Sequence, residues 1–222
     1  MSKRYISLGS TCGVAYQLQS LGLKQESLPF DWIKSQDLES IYSAIVNGFN
    51  IFGDFNNLTL HTTSSKHPIL ETDDWINNLN TNKSFVYKNS INMMFYHDFN
   101  TEIKSSTDQT YQEFREKYMR RFNRFYDLFS SGNELIFIRD EHKPNKLSPE
   151  LIVMLVELLK SILTNGTTMN FILVVNNPRN KQYEWFDLET KLGIRIVNDT
   201  NKIMGWQRSN IDWSAILTKN SI

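Results

Sequence analysis

The sequence predicts one α/β domain whose sheet is mainly parallel and flanked by helices. Strand-like runs alternate with amphipathic helical stretches, the pattern that parallel neighbours joined by crossover helices impose. A length of 222 residues suits a single hydrophobic core. The run Met93-Met94-Phe95-Tyr96 is apolar on both faces, as an inner strand is.

The elements follow in order. Arg4 to Gly9 alternates Tyr5, Ile6 and Leu8 with small residues and stops at Gly9-Ser10-Thr11, which predicts a first strand. A helix follows, with Ser10 or Thr11 as N-cap, Val14, Ala15, Leu18 and Leu21 at helical spacing, and Gly22 as its stop. Cys12 is thereby placed in the first helical turn. Pro29 breaks the segment Ser27-Leu28-Pro29-Phe30-Asp31-Trp32, and a second helix carries Leu38, Ile41, Tyr42 and Ile45 to Gly48. Across 49–90 the pattern weakens into short apolar clusters among Asn, Thr, Ser and Asp, and reads as an irregular insertion or small subdomain. Within and after it, Phe85 to Tyr87 and Ile91 to Tyr96 are strand-like. Gln109 to Phe129 is the longest helix, with Phe114, Tyr118, Phe122, Phe125 and Phe129 on one side. Strands at Glu134 to Arg139, Met169 to Asn176 and Ile194 to Asn198 alternate with helices at Ser148 to Leu163 and Tyr183 to Lys191. Trp206 to Leu217 is expected to dock back on the core, so that 1–222 forms one domain.

Composition narrows the function. Lys plus Arg and Asp plus Glu each number 24, which leaves no excess charge to draw the chain onto nucleic acid or an anionic membrane. Neither partner is expected. No apolar run approaches the roughly 18 residues needed to cross a bilayer, and the N-terminus turns polar too soon for a signal peptide. A lone cysteine cannot form an internal disulfide, and four histidines without partner cysteines give no zinc spacing. The expectation is a cytoplasmic protein with no metal and no cofactor.

Cys12 is the first candidate for chemistry. A thiol after a strand and at a helix start faces unpaired backbone N–H groups and the positive end of the helix dipole, which favour thiolate. The same N–H groups, at Ser10, Thr11, Cys12 and Gly13, are placed to hold an oxyanion. A lone cysteine is otherwise a small buried apolar residue. Among the histidines, His61 and His67 fall in the polar insertion, while His97 at a strand end and His142 after a strand have rigid addresses. His97 is the better general base. Its neighbour Asp98 is on the opposite face of an extended chain, so a group orienting the imidazole comes from elsewhere: Asp31, Asp140 and Asn176 are the candidates. Ser10 is a rival nucleophile of the esterase type, although no histidine follows His142 to serve it. Arg120, Arg121 and Arg124, with Lys117, lie along one helical stripe and with Arg139 could receive an anionic ligand or an acidic partner.

Ile6-Ser7-Leu8-Gly9-Ser10-Thr11-Cys12-Gly13, then Pro29-Phe30-Asp31-Trp32 and Tyr96-His97-Asp98-Phe99, resemble the signature of a domain-of-unknown-function family of papain-like cysteine peptidases. The likeness continues through Arg120 to Phe125 and Ile136 to Arg139, and spans roughly two-thirds of the chain. The resemblance implies Cys12 as nucleophile, His97 as base, and a peptide, protein or acyl substrate. Papain-like enzymes place a glutamine shortly before the nucleophile to complete the oxyanion hole; the strand before Cys12 has none. Two other readings remain: a noncatalytic binding or host-interaction module using the arginine stripe, and an esterase-like α/β hydrolase using Ser10.

Overall fold

The computed structural model describes residues 2–64 and 84–218. Its first layer is a four-stranded parallel sheet of β1 (Lys3–Ser7), β6 (Glu134–Glu141), β7 (Thr168–Asn176) and β8 (Arg195–Asp199), in the order β1-β6-β7-β8. The register sets Ile6 beside Phe137 and Phe137 beside Phe171. Side chains alternate across this sheet, and the two faces bury different clusters. Ile6, Leu135, Phe137, Phe171 and Leu173 enter the larger core, with α2 (Leu38–Asn47), α4 (Gln109–Leu128) and α5 (Pro149–Ser161). Ile136, Ile138, Ile172 and Val174 face the other way, where Val14 and Leu18 of α1 (Gly13–Ser20) meet Trp213, Ile216 and Leu217 of α7 (Trp213–Thr218). The C-terminal segment therefore docks back as its apolar residues require.

The predicted elements are found with small shifts at their ends. The 183–191 helix divides into a 3-10 turn (Glu184–Asp187) and α6 (Leu188–Leu192). The segment 49–90 is more regular than its composition suggests: α3 (Phe49–Gly53), a 3-10 turn (Phe55–Asn57), β3 (Leu58–Ser64) and β4 (Ser84–Asn89) lie within it. Its middle, with His67, is outside the described residues. Strands β3 and β4 join β5 (Met93–Phe95) and the two-residue β2 (Lys34–Ser35) in a second, antiparallel sheet ordered β2-β5-β4-β3.

Helix α4 bridges the two sheets. Its early aromatics, Phe114 and Tyr118, pack 5.1 and 5.8 Å from Phe95 of β5. Its late ones, Phe125 and the following Phe129, lie 6.4 and 5.7 Å from Phe137 of β6. Phe30, from the Pro29 turn, sits edge-on to Phe52, Phe122 and Phe125 and fills the angle between the layers.

The end of β6 carries three consecutive buried charged residues, and strand alternation sends them to opposite faces. Arg139 and Glu141 point toward the antiparallel sheet and pair at 2.8 Å, with side chains 0% and 1% exposed. Arg139 also donates to the Leu8 carbonyl at 3.0 Å and to the Ser35 hydroxyl of β2. Asp140 points toward α1 and α7, where it meets Arg208 at 2.8 Å and His142 at 2.9 Å. The buried Arg139 thus ties the end of β1 to the second sheet. Arg139→Met leaves the Glu141 carboxylate buried and unpaired, and is expected to cost about 3–5 kcal/mol in urea unfolding. Arg139→Met combined with Glu141→Leu should return most of that loss, because both charges leave together.

Candidate active site

The loop leaving β1 is shaped by the antiparallel sheet. Ser10 donates its N–H to the Ser35 hydroxyl at 3.1 Å and accepts the Ser35 N–H at 3.1 Å. This holds Ser10 at φ +86°, a conformation side-chain-bearing residues rarely adopt. Gly9 precedes it at φ +74°, and a Cβ there would lie 3.0 Å from the Ser35 hydroxyl and 3.3 Å from the Phe30 carbonyl. Only glycine lets the loop pass this close. Cys12 then stands at the N-cap of α1, with no side-chain cap, and Thr11 accepts the Gly13 N–H at 3.3 Å. Cys12, rather than Ser10 or Thr11, therefore fills the N-cap.

His97 is brought to this point by the turn after β5. Its Nε2 lies 3.9 Å from the Cys12 Sγ, although the two residues are 85 apart in sequence. Asp98 turns the other way, to Lys117 and to the Tyr118 hydroxyl at 3.2 Å on α4. That pair of contacts anchors the turn presenting His97. Asp31 is buried, and its Oδ2 accepts from Lys24 at 2.6 Å and from the Leu28 N–H at 2.8 Å. Lys24 in turn lies 5.8 Å from the centre of the Trp32 ring.

The other candidates divide by location. Asn176, at the end of β7, donates to Asp199 at 3.2 Å and to the Asn201 carbonyl at 2.8 Å. Asp199 holds Arg208 at 2.7 Å, and Arg208 packs against Gly13 from below, so Asn176 belongs to the support of α1. Asp140 and His142 pair in this same network. Arg139 is interior. Arg124 donates to the Ser27 carbonyl at 2.6 Å, and Arg120 pairs with Glu116 at 3.6 Å on the exposed side of α4. Arg121 stacks over the Tyr118 ring at 4.9 Å. Lys24, Ser35 and Arg208 carry no spacing signal in the sequence, and Lys117 and Tyr118 stand out there only as members of the basic stripe and the aromatic face of one helix; their roles here arise from the approach of distant segments. Among the described residues no three His, Cys, Asp or Glu side chains gather as a metal site. No helix among them is long and apolar enough to cross a membrane.

The titration of the pair differs from the sequence expectation of a depressed thiol. Burial, then the Asp98 carboxylate, pushes the Cys12 thiol from 9.0 up to about 12, with its own backbone N–H opposing and Asp31 adding to the rise. Burial likewise lowers His97 below 6.5, and Asp98 only partly offsets it. Both residues keep some surface open to solvent, yet the protein packed around them makes desolvation dominant. The resting pair is neutral thiol and neutral imidazole, with the base ready to accept a proton at neutral pH.

A chain with this loop, this dyad and this turn can be set beside known proteins. Residues 3–180 match the model of a family described as "Putative papain-like cysteine peptidase". The chain belongs to this family. The chain is also similar to Uncharacterized protein R408 of Acanthamoeba polyphaga mimivirus, 57% identical over 215 residues, which cover 96% of each chain. No solved structure matches. The papain-like family match takes in Cys12, Asp31, His97, Arg139 and Asn176, and ends before β8, Arg208 and α7.

The neutral pair gives a pH signature. Between 9.0 and about 12 the folded chain keeps a proton that the unfolded chain releases, so stability falls as pH rises through that window. Cys12→Ser should flatten this alkaline decline in urea unfolding. Because His97 is lowered, the unfolded chain binds more protons just below 6.5, and stability should fall on acidification there. Alkylation of Cys12 by iodoacetamide is expected to be slower at pH 7 than that of a free thiol and to climb without a plateau to pH 10. A plateau between pH 5 and 7 would mean a thiolate–imidazolium pair and overturn the neutral assignment.

Proposed function

We propose that this chain is a cysteine hydrolase or acyl-transfer enzyme acting on an amide, ester or isopeptide carbonyl. The observation that carries the reading is the 3.9 Å approach of His97 Nε2 to Cys12 Sγ across two separate elements. Family membership supports it. As Sγ bonds to the carbonyl carbon, its proton passes to Nε2 of the neutral His97. The Ser10 and Gly13 N–H groups already go to Ser35 and Thr11, so in this reading the remaining N–H groups of the first turn of α1 hold the developing oxyanion in place of the absent glutamine. Collapse of the tetrahedral species breaks the bond to the leaving amine or alkoxide, which takes the proton from His97. Water, deprotonated by the same imidazole, then cleaves the thioester and restores the thiol.

Asp98 has a part in this cycle through its charge. Its carboxylate favours the charged imidazole and disfavours the thiolate. It therefore lowers the cost of the imidazolium that forms during attack while holding the resting sulfur protonated. Asp31 and Asn176 are committed to Lys24 and Asp199, so neither serves as a third member beside Cys12 and His97. Ser10 serves as the bent link to Ser35. A thiol nucleophile also fits a reducing, cytoplasmic setting.

The test is a panel of fluorogenic amide, ester and isopeptide substrates run on folded protein. Cys12→Ala is expected to abolish turnover, and His97→Asn to lower kcat by about 10²-fold or more. Ser10→Gly should leave turnover in place, and relief of the positive φ should raise stability by about 1 kcal/mol. Turnover that survives Cys12→Ala and disappears with Ser10→Gly would transfer the chemistry to the serine.

A further inference from the structure

We infer that Tyr16 and Trp206 form an aromatic wall beside Cys12 that receives an apolar side chain, so that the substrate carries such a side chain next to the carbonyl under attack. This rests on the hydrolase reading of Cys12 and specifies its substrate class.

Helix geometry places Tyr16 at the thiol. Cys12 has helical backbone angles, φ −67° and ψ −7°, and its carbonyl accepts the Tyr16 N–H at 2.9 Å. Residues four apart in a helix share a face, with Cβ atoms about 5–6 Å from each other. A helical side chain also leans toward the N-terminus, which directs the Tyr16 ring over the turn that begins at Cys12. That ring is not spent on the core. Val14, Ala15 and Leu18 of α1 are buried, whereas Tyr16 is 37% exposed. Its partner is Trp206, met edge-on with ring centres 5.1 Å apart.

Trp206 is held there by three anchors. Its carbonyl lies 2.5 Å from where a Cβ on Gly13 would be, so it rests on the residue that directly follows Cys12. The Gln207 carbonyl accepts from Gln17 at 2.6 Å, and Arg208 is buried on Asp140 and Asp199 at 2.8 and 2.7 Å. Ile203 and Met204, just before Trp206 in the chain, are exposed, Met204 to 76%. Large apolar side chains exposed together on an anchored segment mark a contact surface. Beyond His97 the surroundings are charged, with Asp98 paired to Lys117. The apolar part of a substrate therefore goes to the α1 side. An edge-on aromatic pair offers a ring face and a ring edge, which suit a further aromatic or aliphatic side chain. Two rings match one such side chain in size rather than a long acyl chain.

The experiment compares alkylation of Cys12 in the full chain by N-benzyl- and by N-(2-hydroxyethyl)iodoacetamide at pH 9, read by mass spectrometry. Wild type should show a benzyl-to-hydroxyethyl rate ratio about fivefold to tenfold above that of free cysteine. Trp206→Ala should bring the ratio down toward the free-cysteine value. Tyr16→Ala, at a more exposed position, should do the same and serves if the first variant folds poorly. Tyr16→Phe, which keeps the ring, should keep the ratio, and Met154→Ala, at an exposed methionine of α5, should leave it unchanged. An N-octyl reagent should gain no more than the benzyl one. A further rise with chain length would assign the wall to a lipid acyl chain and overturn the inference. So would a wild-type dimer that Tyr16→Ala dissociates in sedimentation velocity, which would give the wall to a second copy of the chain. A wild-type ratio equal to that of free cysteine, a ratio unchanged in both alanine variants, an equal fall in Met154→Ala, or no alkylation of the folded chain would each overturn it as well. The ratio needs no turnover, so it fails or stands separately from the Cys12→Ala activity test.

Discussion

The position of Cys12 depends on one buried ion pair. Arg139 and Glu141 are sealed between a parallel and an antiparallel sheet, where an isolated charge would be untenable. The arginine spends its remaining donors on the Leu8 carbonyl, where β1 ends, and on Ser35, where β2 passes. Ser35 in turn holds Ser10 by both backbone groups. A pair of this kind adds little net stability, because desolvation consumes most of its attraction. Its effect here is geometric. It sets the loop conformation that carries the sulfur to the imidazole, one that includes a serine whose positive φ costs about 1–3 kcal/mol.

At the sulfur itself two effects compete, and their sizes decide the outcome. The partial charge at the N-terminus of a short helix stabilises an anion by about 0.3–1 kcal/mol. Raising the thiol from 9.0 to about 12 corresponds to about 4 kcal/mol against the thiolate. Desolvation and the two nearby carboxylates therefore prevail over the dipole. Under the proposed hydrolase reading, attack relies on concerted proton transfer rather than on a stored anion. The lowered imidazole pKa suits that role, since a base already carrying a proton could not accept another.

Much of the fold was legible because its signals are local. The Gln109–Leu128 helix, the strand ending in Asn176 and the helix stop at Gly48 each follow from periodicity or a single backbone requirement. Cys12 and His97 could be singled out because each stands where a regular element meets a turn. The second sheet was harder to see. Its β2 strand is two residues long, too short for any alternation to register, and it exists because Ser35 finds both Ser10 and Met93. The same limit applies to the charges. Nothing in the stripe of Arg120, Arg121 and Arg124 separates the one stacked on Tyr118 from the one tied to Ser27. That depends on which distant backbone arrives beside each side chain.

The roof over α1 is a tail segment. The Trp206 carbonyl sits where a Cβ on Gly13 would be, at 2.5 Å, Gln17 donates to the Gln207 carbonyl at 2.6 Å, and Trp206 meets Tyr16 edge-on. All of these contacts come from residues beyond the family match, which stops at 180. The part of the chain that carries Cys12 and His97 is thus covered by a segment outside the family match but within the 96% of the chain shared with the mimivirus relative. Trimming the protein to its family-matched portion would strip these contacts from α1, the helix that begins at Cys12.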